Sequence, residues 1–133
     1  MTTELTEDLL QTALEVRQQA YAPFSQFLVG AALRTKTGEI FSGCNVENRS
    51  YGLTNCAERV AIGSAIAAGF REFDVLVIAT SGGVVPCGAC RQVLTEFCDR
   101  LSIFLVDVDK DPQDTDFVQA LELADLLPGN PSL

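Results

Sequence analysis

The chain has 133 residues, 47% of them hydrophobic and 20% charged, with five cysteines and no histidine. A chain of this length makes one domain with a real core, since folding buries roughly two thirds of its unfolded surface. The net charge of −9 argues against nucleic acid and anionic membranes as partners, because both are held through Lys and Arg, and leaves neutral or cationic small molecules.

The absence of His removes imidazole metal ligands and the Ser-His-Asp and Cys-His nucleophile pairs. Acid–base chemistry near neutral pH then falls to a carboxylate with a shifted pKa. Residues Met1 to Thr12 carry Glu4, Glu7 and Asp8 and no basic residue, unlike the start of a signal peptide. No apolar run approaches the ~18 residues of a membrane span. The expectation is a cytoplasmic chain whose reduced cysteines serve metal binding or catalysis rather than disulfides. With no repeat, low-complexity tract or linker, residues 1–133 read as a single domain.

Thr6 is placed to cap a first helix that opens on Glu7 and Asp8, buries Leu9, Ala13, Val16 and Ala20 as one stripe, and ends by Pro23. Phe27 to Leu33 reads as an apolar strand, Lys36-Thr37-Gly38 as a turn, and Glu39 to Cys44 as the antiparallel partner. A loop from Asn45 to Asn55 leads to a second helix that Gly69 terminates. Asp74 to Thr80 is a strand covered on both faces, a third helix begins near Pro86, and Ser102 to Asp107 is another buried strand. Phe117 to Leu127 reads as a short strand, a helix, or both. Strands alternating with helices predict a layered α/β domain with helices on both sheet faces.

The second helix, Cys56 to Ala68 (CAERVAIGSAIAA), is small or apolar on every side, which predicts burial all round. Only Glu58 and Arg59 carry charge there, and a buried carboxylate is costly unless something pairs with it or uses it. Asn55-Cys56-Ala57-Glu58 also fits the spacing of a capping box. Taken alone, that spacing makes Glu58 a cap, and Cys56 is then a small core residue.

Pro86-Cys87-Gly88-Ala89-Cys90 alters the balance by placing two thiols on one face of a helix's first turn. Pro86 suits a helix start, and the positive dipole end lowers thiol pKa values. One such pair also occurs in redox sites, and two core cysteines by accident is an alternative. Cys56, Cys87 and Cys90 together are more specific. Neighbouring helices on one sheet face bring their N-termini to the same edge, where three thiolates can meet one cation. Three protein ligands with an open fourth position is the catalytic arrangement of zinc, whereas structural sites are closed by four. Glu58 would stand beside the open position, and Arg59 would offset the excess negative charge by hydrogen bonding to sulfur.

Cys56-Ala57-Glu58 followed by Pro86-Cys87-Gly88-Ala89-Cys90 resembles the zinc deaminase signature in its three-cysteine form. Within that superfamily the chain resembles the small homotetrameric cytidine deaminases. The likeness runs from Tyr21 to about Leu127, through Tyr21-Ala22-Pro23-Phe24-Ser25, Phe27, Val29 to Leu33, Gly43 to Asn48, Cys56 to Arg59 and Pro86 to Gln92.

The resemblance implies an α/β/α fold of three layers around a mixed sheet of about five strands. It implies hydrolytic deamination of cytidine and 2′-deoxycytidine to uridine and 2′-deoxyuridine in pyrimidine salvage. It also implies one Zn²⁺ per chain on Cys56, Cys87 and Cys90, Glu58 as proton carrier, and a homotetramer with sites near subunit interfaces. Asn45 and Glu47 match residues that hydrogen-bond the ribose hydroxyl retained in deoxynucleosides, and Phe27 matches one that packs on the pyrimidine. Val46, Asn48, Arg49, Ser50, Tyr51 and Ala57 fall in the same substrate-binding set. Read without the resemblance, Asn45 to Glu47 is a polar strand exit, Phe27 a core residue, and Cys44 and Cys98 buried fillers.

The tail, Leu126 to Leu133, lacks the terminal phenylalanine that the family extends to a neighbouring subunit, and the loop before Pro86 is short. Two other readings are a deaminase of another aminopyrimidine nucleoside, of the blasticidin S type, and a non-catalytic zinc module closed by Cys44 or Cys98. Glu47 favours an ordinary ribose.

Overall fold

A computed structural model describes residues 4–127. The elements run α1 (Glu7–Arg17), β1 (Gly30–Thr35), β2 (Ile40–Cys44), α2 (Ala57–Ala67), β3 (Phe73–Thr80), α3 (Gly88–Phe97), β4 (Ser102–Asp107), β5 (Val118–Glu122) and α4 (Leu123–Leu126), with a 3₁₀ turn at Tyr51–Leu53. The sheet order is β2-β1-β3-β4-β5. Only β3 and β4 pair in parallel, joined through α3, and the other neighbours are antiparallel. This is the three-layer arrangement around a five-stranded mixed sheet that the resemblance implied.

Strand alternation sorts the core into two layers. Ala31, Leu33, Leu76, Ile78, Ile103 and Leu105 face one side, where they pack with Ala57, Ala61 and Ala65 of α2 and Leu94 of α3. Ala32, Val75, Val77, Ala79 and Val106 face the other, against Leu9 and Ala13 of α1. Helices α2 and α3 therefore share one face, and α1 covers the opposite one. Near the sheet's far end, Arg34 forks onto Asp74 at 3.0 and 3.1 Å, a buried pair that ties β1 to β3.

Several local expectations are corrected. Helix α1 ends at Arg17, well before Pro23, so Ala20 lies beyond it. Thr6 is the N-cap, but its hydroxyl donates to the Asp8 carboxylate, and Asp8 Oδ1 accepts from Leu9 N at 2.9 Å. Strand β1 begins at Gly30 rather than Phe27, because Phe27 O and Val29 N bond to the Asn45 side chain instead of to a neighbouring strand. Helix α2 is not buried all round: Gly63, Ser64 and Ala67 are exposed, since no layer of this chain covers that side. Phe117 to Leu127 holds both a strand and a short helix. Cys98 is buried as expected, whereas Cys44 is only half-buried at the end of β2. The tail's departures after Leu127 lie outside the described residues.

Candidate active site

Both helices of the shared face begin on a cysteine. Cys56 is the N-cap of α2 (φ −74°, ψ 151°) and Cys87 the N-cap of α3 (φ −65°, ψ 167°), and neither side chain closes its cap. Sulfur is a weak acceptor, so both side chains are free to turn toward each other. Cys56 also sits at the positive end of a helix, which favours its thiolate. Cys90 lies in the first turn of α3, with Pro86 preceding the N-cap rather than starting the helix. Gly43 on β2 makes the approach of α2 feasible: a Cβ there would lie 2.5 Å from both Ala57 O and Ala61 N.

The Cys56 and Cys87 sulfurs are 3.8 Å apart, those of Cys87 and Cys90 3.5 Å, and all three lie within 4.8 Å of one another. A tetrahedral ion with Zn–S bonds of about 2.3 Å holds its sulfurs about 3.8 Å apart. The three residues therefore fit zinc with little adjustment. Cys90 is buried, Cys56 half-buried and Cys87 exposed, which leaves one side of the cluster open. Among the described residues, neither Cys44 nor Cys98 joins the group, so no fourth thiolate closes it. Burial instead pushes the Cys98 thiol up to about 12.

The surrounding charges match such a site. Arg59 Nη2 donates to Cys56 Sγ at 3.2 Å, while Arg59 Nε is buried with no acceptor among the described residues. A guanidinium held there calls for concentrated negative charge, which three metal-bound thiolates would supply. The Cys56 thiol is lowered to about 5, first by a hydrogen bond from Cys90 and then by Arg59. Cys90 is pushed up by that same shared proton and by burial.

Glu58 is 4% exposed, and its pKa is raised, mainly by burial and further by the Cys56 thiolate. It does not close a capping box with Asn55. With Cys56 as N-cap, Glu58 is the second helical residue rather than the third, so the spacing is one residue short. A carboxyl whose neutral form is favoured by burial, beside a metal-compatible cluster, is suited to carry a proton.

Asn45 is buried; its Nδ2 donates to Phe27 O at 2.8 Å and its Oδ1 accepts from Val29 N at 2.9 Å. That uses one of its two amide hydrogens and one oxygen lone pair, so each kind has capacity left for a ligand. Glu47 is half-buried and accepts from Phe24 N at 3.0 Å, from Ser25 N at 3.2 Å and from the Ser25 hydroxyl. These donors, the hydroxyl first, hold its pKa below the usual range. Phe27 is exposed, Ala57 is buried at the start of α2, and Val46 bridges to both Tyr21 and Asn55.

Asn48, Arg49, Ser50 and Tyr51 point outward, Tyr51 at 90% exposure, in a turn where Ser50 N donates to Asn48 Oδ1 at 2.8 Å. Ser25 was missing from the sequence-based site. The Tyr21 to Ser25 motif was its only signal, and nothing in that motif points to Glu47.

Comparisons with known proteins agree with this geometry. A model of the family described as "Cytidine and deoxycytidylate deaminase zinc-binding region" matches residues 3–106. A cytidine deaminase of Sporosarcina psychrophila is 44% identical over 126 residues, covering 92% of this chain and 88% of that protein. A blasticidin-S deaminase of Bacillus cereus is 38% identical over 100 residues, covering 68% and 71%. The crystal structure of a cytidine deaminase from Burkholderia pseudomallei superposes with a TM-score of 0.84 at 46% identity, covering 94% of this chain and 98% of the other. Together with three converging sulfurs and a buried glutamate at the head of α2, these matches show that the chain belongs to the cytidine and deoxycytidylate deaminase family.

Proposed function

We propose that the chain is a zinc-dependent hydrolase that converts cytidine and 2′-deoxycytidine to uridine and 2′-deoxyuridine, serving pyrimidine salvage in the cytoplasm. The observation that carries this reading is the convergence of Cys56, Cys87 and Cys90 with Glu58 buried beside them. A zinc ion held there would supply Lewis acidity that brings the deprotonation of water toward neutral pH.

The chain's own residues do the rest. Cys56, Cys87 and Cys90 would hold the ion, and Arg59 donates to Cys56 Sγ, which tempers the charge on sulfur. Glu58 takes a proton from water and delivers it to the ring nitrogen N3, which makes C4 electrophilic. After the water oxygen bonds to C4, Glu58 takes that oxygen's remaining proton and gives it to the amino nitrogen, so that the C4–N bond breaks, ammonia leaves and C4 becomes a carbonyl. One carboxylate thus serves as base and then acid, which explains how a chain without histidine does this chemistry.

Phe27 packs on the pyrimidine, with Ala57 beside it, and Asn45 and Glu47 hold the sugar hydroxyl. Val46 lies between them along the strand exit. The protein acts as a homotetramer. In support, Tyr21, Phe24, Val46, Tyr51 and Leu53 leave large apolar side chains exposed on the loop tied to Glu47 and on the stretch that leads to Cys56. Asn48, Arg49, Ser50 and Tyr51 then face a neighbouring copy's substrate. Nucleic acid and membranes are not partners in this reading. The charge is −9, and among the described residues no helix is long and apolar enough to cross a membrane.

Metal content and the ultraviolet absorbance change of cytidine, measured on one sample, test the reading. The expected result is about one zinc per chain with turnover of cytidine and deoxycytidine. Zinc without turnover would indicate a closed metal module. Turnover of blasticidin S in preference to cytidine would move the chain to the other deaminase class.

A further inference from the structure

The loop from Tyr21 to Phe27 and the strand exit from Asn45 to Glu47 are stitched together along their length. Tyr21 N donates to Asn45 O at 2.9 Å and Glu47 N to Tyr21 O at 2.8 Å. At the loop's tip Gln26 adopts φ +59°, an uncommon left-handed conformation for a residue with a side chain. The reversal turns Phe27 N back onto Ser25 Oγ, to which the amide donates at 3.0 Å. The Ser25 hydroxyl spends its single hydrogen on the Glu47 carboxylate. One exposed oxygen therefore touches both Glu47 and the backbone of Phe27.

A carboxylate offers about four lone-pair sites. Phe24 N, Ser25 N and the Ser25 hydroxyl occupy three at Glu47, which leaves room for one further donor. Bonds to an ionised acceptor are the stronger, shorter kind, so the remaining lone pair is aimed rather than loose. Without the hydroxyl, Glu47 loses the donor on its Oε2 and Phe27 N loses its acceptor together.

We propose that Ser25 is a positioning residue for the nucleoside. Its hydroxyl holds the Glu47 carboxylate with one acceptor site open for a single sugar hydroxyl, and registers that site against Phe27 and the base. This rests on the reading of Glu47 as the sugar acceptor. Ser25 itself touches no reacting atom, so its effect is on sugar selectivity and KM rather than on the chemical step.

The test compares wild type, Ser25→Ala, Ser25→Thr and Glu47→Ala, each with 2′-deoxycytidine and 2′,3′-dideoxycytidine, and with zinc counted in every sample. Ser25→Ala is expected to raise KM for deoxycytidine about five- to tenfold, with kcat and zinc near wild type. The rise should shrink on the dideoxy analogue, so that the ratio of kcat/KM between the two substrates falls. Ser25→Thr, which keeps the hydroxyl, should restore that ratio. Equal losses on both substrates in Ser25→Ala, while Glu47→Ala still discriminates, would overturn the role of Ser25 and leave that of Glu47 standing. Failure of Ser25→Thr to restore selectivity would overturn the role of the hydroxyl. Equal losses on both substrates in Glu47→Ala would overturn the sugar reading, and the role of Ser25 with it.

Discussion

Around Glu58 the molecule is closed, and around Glu47 it is open. Glu58 sits at the head of a helix packed on the sheet, 4% exposed, next to a thiolate. Glu47 lies half-buried on a strand exit, ringed by two backbone amides and a hydroxyl. The same side chain is driven in opposite directions: burial raises the pKa of the first, and hydrogen-bond donors lower that of the second. The difference teaches that a carboxyl's role follows from what surrounds it. Scarce donors and little water make a group that carries protons. A ring of donors makes a fixed anion that accepts hydrogen bonds and stays charged.

The sharpest break in that contrast is at the metal cluster. Cys87→Ala should lose zinc and cytidine turnover together, checked by metal analysis and absorbance on one preparation. Retention of full zinc would show that the cluster is not the metal site. Glu58→Gln should separate the two readouts instead. Zinc is expected to stay near wild type while kcat falls by at least the roughly 10²–10⁴-fold that general acid–base help supplies. Zinc loss in that variant would make Glu58 a ligand or a structural prop, and near-normal turnover would remove its role.

The open side predicts smaller effects. Glu47→Ala removes a charged hydrogen-bond partner of the sugar, with an expected loss of about ten- to a hundredfold in kcat/KM for deoxycytidine and zinc retained. A fall as deep as that of Glu58→Gln would mean the two carboxylates share one function. The smallest effect is on the loop itself. Because the folded pKa of Glu47 lies below the usual 4.5, the loop's tie is complete above that value and is lost as pH falls through the lowered one. The amide resonances of Phe24 and Ser25 should titrate in that acid range and lie still in Glu47→Gln. Amides that do not move would mean these contacts are absent in solution.

Much of the site was legible because its spacing is local. Cys87 and Cys90 share a helical turn, Cys56 and Glu58 lie two residues apart, and the absence of histidine directs attention to a carboxylate. The capping-box reading failed by a single residue, since only backbone dihedrals decide whether Asn55 or Cys56 begins the helix. The early start assigned to β1 failed for a similar reason. Phe27 to Val29 is apolar enough for a strand, but the Asn45 side chain takes its hydrogen bonds across a long stretch of chain.

By itself the sequence determined the class of fold, through alternating apolar strands and helices, and the chemistry available, through three cysteines at helix starts and an acidic surface. Tertiary structure decided which groups meet. The convergence of three sulfurs depends on Gly43 letting α2 approach β2, and on α2 and α3 sharing a sheet face. The tie from Phe27 to Ser25 depends on a left-handed turn at Gln26. Sequence patterning reports periodicity and burial within one element. Contacts between distant elements are set by packing and by backbone dihedrals that no local pattern encodes.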